Sequence, residues 1–108
     1  MAGVHDTEVI DLVTHDAETG EYALIMIEER AWGNSKLQID QLREKINNYA
    51  FFALDEGLIR TFPGAADKPI RLQIDCIEPP TGEAAILITR ATELLREHGI
   101  GFRVHVLD

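Results

Sequence analysis

Few residues of this chain combine the type and placement that chemistry needs, and the foremost are Arg71, Asp75, Arg103 and His105. A carboxylate beside an imidazole is a minimal acid–base pair, and guanidinium groups next to it can hold a small polar ligand. Asp75 alternates with apolar neighbours in Ile70-Arg71-Leu72-Gln73-Ile74-Asp75-Cys76, and His105 does so in Phe102-Arg103-Val104-His105-Val106. That period of two puts Arg71, Gln73 and Asp75 on one face of a strand, and Arg103 and His105 on one face of another. If the two strands are neighbours, the polar residues form one constellation. The ordinary structural alternative is a solvated sheet face with cross-strand ion pairs.

The other reactive types carry weaker signals. Cys76 is the single cysteine, which excludes an intramolecular disulfide and a cysteine zinc cluster. Its place in the apolar series of its strand makes it a small buried hydrophobe rather than a nucleophile. His5, His15, His98 and His105 show neither HxH nor helical His-x-x-x-His spacing, so no metal site is expected. No motif in the chain calls for a cofactor. Asp11 and His15 share a strand face but lie about 13 Å apart, too far for a direct pair.

A third set lies in loops. Trp32 precedes the first helix, and Glu28 and Glu78 end the two strands that flank the same sheet edge. Loops after parallel strands are where open α/β sheets usually receive ligands. The edge is acidic and has no Gly-rich phosphate loop, which argues against a phosphate pocket. It fits a cation or a basic protein partner, with Trp32 as the aromatic anchor. Against this stands a simpler role, Trp32 closing the end of the core while the carboxylates complement helix dipoles.

Composition narrows the class. The chain has 108 residues, enough for one domain with one core. Acids outnumber bases by 19 to 10, for a formal net charge of −9. Such a field repels phosphate backbones and anionic lipid, so nucleic-acid binding and membrane docking are not expected. No secretory signal or membrane-length apolar run is visible, and cytoplasmic residence is the simplest reading.

The elements that position these residues follow from periodicity. Residues 1–8 are polar and are expected to form a flexible tail, with residues 9–108 as a single domain. Val9-Ile10-Asp11-Leu12-Val13 and Tyr22-Ala23-Leu24-Ile25-Met26-Ile27 flank Asp16-Ala17-Glu18-Thr19-Gly20, a hairpin with Gly20 at positive φ. Ser35-Lys36-Leu37-Gln38 fits a capping box opening a helix whose stripe is Ile39, Leu42, Ile46, Tyr49, Ala50 and Ala53. Gly57 is a candidate left-handed cap, and a kinked extension to about Phe62 is the alternative. A third strand follows Lys68-Pro69. Thr81 then caps a second helix with the stripe Ala84, Leu87, Ile88, Ala91, Leu94 and Leu95. His98-Gly99-Ile100 stops it, and Phe102 to Leu107 forms the last strand.

The order is ββαβαβ, an α+β two-layer fold. Two right-handed crossovers predict a four-stranded mixed sheet of order 1-2-3-4, with 2-1-3-4 as the alternative and both helices on one face. The second strand is apolar on both sides, so one apolar row is left on the uncovered face. A homodimer burying that row is therefore expected.

The chain resembles a bacterial family of small domains of unknown function. The resemblance is carried by Val9-Ile10-Asp11-Leu12-Val13-Thr14-His15-Asp16, Thr19-Gly20-Glu21-Tyr22-Ala23-Leu24, Asn47-Asn48-Tyr49 and Asp75-Cys76. It implies a shared fold and transfers no functional residue. The leading functional reading is a non-enzymatic protein-interaction or assembly domain. The alternative is a small polar-ligand binder or enzyme using Arg71, Asp75, Arg103 and His105.

Overall fold

The computed structural model describes residues 3–55 and 57–107. Its elements are β1 (Leu12–His15), β2 (Tyr22–Glu28), α1 (Lys36–Leu54), α2 (Gly57–Thr61), a 3-10 turn (Pro63–Ala65), β3 (Ile70–Cys76), α3 (Gly82–Glu97) and β4 (Gly101–Val106). The sheet has the order β1-β2-β3-β4, with β1 antiparallel to β2 and the other pairs parallel. This is the favoured order, and the long helical connections explain it: each crossover advances the sheet by one strand.

Local signals act where the residue types place them. In the hairpin, Asp16 Oδ1 accepts from the amides of Glu18 (2.8 Å) and Thr19 (3.3 Å), and Gly20 takes φ +77°. These backbone donors hold the exposed Asp16 carboxyl below the usual carboxylate range. Ser35 Oγ accepts from the Gln38 amide at 3.1 Å and caps α1. At the end of α3, Gly99 has φ +75° and the Ile100 amide donates to Leu95 O at 3.0 Å. Ile100 then folds back on the core.

The first helix breaks rather than capping at glycine. α1 ends at Leu54, and Gly57 opens the short α2, so the kinked alternative describes the chain. Gly57 is needed for space, because a Cβ there would lie 2.8 Å from Phe52 Cδ1.

The opening segment is docked against the domain. Its side chains read as a polar tail, yet Val4 is 1% exposed and its amide donates to Ile27 O at 2.8 Å. Lys45 Nζ donates to the carbonyls of Asp6 and Val9, each at 2.6 Å, and Asn48 Nδ2 donates to Thr7 O at 2.8 Å. The anchors are backbone carbonyls, which composition does not reveal.

One core lies between the sheet and the helices. Tyr22, Leu24 and Met26 of β2 meet Leu72, Ile74 and Cys76 of β3 beneath Ile39, Leu42, Ile46 and Tyr49 of α1. Ala84, Ile88, Ala91 and Leu95 of α3 complete it. The opposite face of β2 carries Ala23, Ile25 and Ile27. Leu94, expected in the α3 stripe, is instead 63% exposed, and Val104 on the edge strand is 37% exposed.

Candidate functional site

The parallel register between β3 and β4 sets Gln73 opposite Arg103 and Asp75 opposite His105. Asp75 Oδ1 sits 3.2 Å from His105 Nδ1 and accepts from Gln73 Nε2 at 2.8 Å. Gln73 Oε1 in turn accepts from Arg71 Nε at 3.1 Å, and the Arg71 guanidinium pairs with Glu21. The result is a continuous polar chain across the open sheet face, from Glu21 at the hairpin to His105 on the edge strand. Arg103 stands next to it, exposed, in no ion pair among the described residues. The four residues expected to share this face are thus brought together. The polar groups of this face answer one another. The face can order an imidazole beside a carboxylate.

The acidic sheet edge is built inward. Period two puts Glu28 on the same side of β2 as Leu24 and Met26, and it is 2% exposed. Arg30 grips it in a fork, Nε to Oε1 and NH2 to Oε2, each at 2.8 Å, and adds its own backbone amide at 3.0 Å. Burial works against the ionised carboxyl, but the hydrogen bonds from Arg30 outweigh it and hold Glu28 below the usual range. Trp32 is 6% exposed, and its indole N–H donates to Glu78 O at 2.8 Å. Glu78 Oε1 accepts from the Trp32 amide at 2.9 Å. Trp32 and Glu28 therefore act inside the fold here, and Glu78 is the member of that trio facing solvent.

Sequence reasoning missed two residues at this edge. Asn34 takes φ +55°, and its Oδ1 accepts from the Ala84 amide at 2.9 Å. It caps α3 from the loop before α1, while Thr81 makes no side-chain cap. Gly82 sits against it at φ +56°, where a Cβ would lie 3.0 Å from Asn34 Nδ2. Gln38 spans the same loop, accepting from the Asn34 amide and donating to Ala31 O.

Other reactive groups are spent structurally. Cys76 is buried, which pushes its thiol pKa up. Among the described residues, no buried side-chain nitrogen or oxygen lacks a partner, and no group of three His, Cys, Asp or Glu is placed to hold a metal. No helix among the described residues is long and apolar enough to cross a membrane.

A concavity lies elsewhere, between α1 and α3. This groove of about 550 Å³ is floored by Ile39, Ile46, Leu87 and Ala91 and rimmed by Arg43, Glu83, Ile86, Arg90 and Leu94. Ile86 is 53% exposed. Of the rim residues, Leu94 stood out in the sequence, but as a core-facing member of the α3 stripe rather than as groove surface. The signal available was that α3 is apolar over a wider arc than one sheet face can cover.

Fold and surfaces together define a small two-layer α+β domain. A family model described as a family of unknown function, DUF6572, matches residues 2–108. The chain belongs to that family. No curated protein and no solved structure matches it.

Proposed function

We propose that this chain is a non-enzymatic interaction domain of the bacterial cytoplasm that assembles with a second copy of itself. The observation that carries the reading is the α1–α3 groove, where Ile86 and Leu94 stand 53% and 63% exposed beside an apolar floor. Large side chains so placed on one helix layer are the mark of a surface that meets protein. On the open sheet face the expected apolar row is already sheltered within the chain, with Ala23 2% and Ile25 6% exposed. Leu12, paired in register with Ile25, is 45% exposed there. The driving force for assembly thus lies with the helices. The buried, unpaired Cys76 accords with a reducing compartment. A dilution series by size-exclusion chromatography tests the reading: elution should shift from two-chain toward one-chain volume on dilution. One-chain elution at every concentration contradicts it.

One observation favours a second reading. Asp75 Oδ1 holds both His105 and Gln73, which orders a polar site suited to a small ligand. A metabolite screen by thermal shift would then give a saturable hit that survives Trp32→Ala and disappears in Asp75→Ala. A hit unchanged in Asp75→Ala and His105→Ala removes both residues from it.

A further inference from the structure

Resting on the dimeric reading, we propose that the contact is an antiparallel, two-fold packing of α3 on α3 over the groove, held by reciprocal ion pairs between Glu83 and Arg90. Each chain carries a net charge of −9, so two copies repel unless their contact supplies both signs. The α3 rim does so. Glu83 lies in the first turn and Arg90 seven residues on, with both on the groove rim. Seven residues are two helical turns, so the two side chains share a face about 10.5 Å apart. Both are exposed, and neither makes an ion pair or side-chain hydrogen bond among the described residues. Arg43, on the opposite rim, is by contrast engaged by Asp40 at 3.2 Å.

Two-fold symmetry turns this spacing into self-complementarity, because residue i meets residue j and j meets i. An axis passing between Ile86 and Leu87 sets each Glu83 opposite the partner's Arg90, giving the pair twice. The same register brings Ile86 against the partner's Leu87, closing apolar surface at the centre. Sliding the axis to Arg90 would set that arginine against its own copy and Glu83 against the partner's Glu97. Like charges directly opposed oppose binding, so the sign pattern selects the first register.

The test is a charge swap read by sedimentation velocity on the full chain. Glu83→Arg and Arg90→Glu should each raise the dimer Kd by about tenfold or more, and the double swap should return it to within about threefold of wild type. Both sites are exposed, so circular dichroism of each variant should match wild type. Ile86→Gln, which changes no charge, removes exposed apolar surface at the centre of this register and should also weaken the dimer. Single swaps that weaken association without recovery in the double would overturn the reciprocal pairing. A wild-type dimer indifferent to all these changes would overturn this surface while leaving the dimeric reading standing. A wild-type chain that never associates would remove both.

Discussion

Lys45 Nζ lies 2.8 Å from Asp11 Oδ1, and the two side chains are 0% and 1% exposed. The remaining donors of Lys45 go to Asp6 O and Val9 O, and Asp11 Oδ2 accepts from the Ile27 amide at 2.9 Å. Tyr49 joins the network, its hydroxyl accepting from the Asp11 amide and donating to Ile25 O, each at 2.8 Å. One ion pair thus fastens the opening segment, the second strand and the first helix together. Removing one member leaves the other charged, buried and unpaired. Lys45→Met should therefore cost about 3–5 kcal/mol in urea unfolding. Amide exchange of residues 4–11 should accelerate with it. A loss below about 1 kcal/mol, the size expected of an exposed ion pair, would contradict the role assigned to this pair.

Asn34 gives a second, separable prediction. It both adopts a left-handed backbone and caps α3 through Ala84. Asn34→Gly keeps the backbone and loses the cap, and should cost about 1 kcal/mol. Asn34→Ala adds the strain of a Cβ at φ +55° and should cost more than the glycine variant. Equal losses in thermal melts would mean that the cap accounts for the whole effect.

The pH dependence follows from Glu28. Against the cost of burial, the hydrogen bonds from Arg30 hold its carboxyl below the ordinary value of 4.5 in the folded chain, so the unfolded chain binds its proton first as pH falls. The stability it contributes is fully present above that value and is lost as pH drops through the folded pKa. Wild type should lose more stability than Glu28→Gln between neutral pH and the acid limb, as read from denaturant midpoints. Parallel curves for the two proteins would place the acid sensitivity elsewhere.

Cys76 should react slowly. Its thiol is buried and its pKa is raised, so a thiol-specific reagent must wait for the chain to open. Labelling should be slow in buffer and rise with urea in step with unfolding. Rapid labelling of the folded protein would show an accessible thiolate.

Much of the fold was legible because local rules and crossover handedness agreed. Gly20, Ser35 and Gly99 each act at the positions their residue types require. Period two aligned Asp75 with His105, and the register confirms that juxtaposition. It also placed Glu28 in line with Leu24 and Met26, a parity that foretold its burial. Lys45 had a comparable signal, three residues from Leu42 and four from Tyr49 within the inward stripe. Charge masked both cues. The cap from Asn34 to Ala84 joins residues 50 apart, so no local pattern could show it. The groove was hidden for a different reason. Periodicity marks a residue as apolar on a face, but whether Leu94 meets the sheet or the solvent depends on how far the helix layer reaches.

Association with a second copy doubles the mass of the particle in solution. Light scattering on the purified 108-residue chain, well above micromolar concentration, should return the mass of two chains. It should fall to one chain in Arg90→Glu and return to two in the double swap with Glu83→Arg. A single-chain mass for the wild type across that range would mean that the chain does not associate with a second copy.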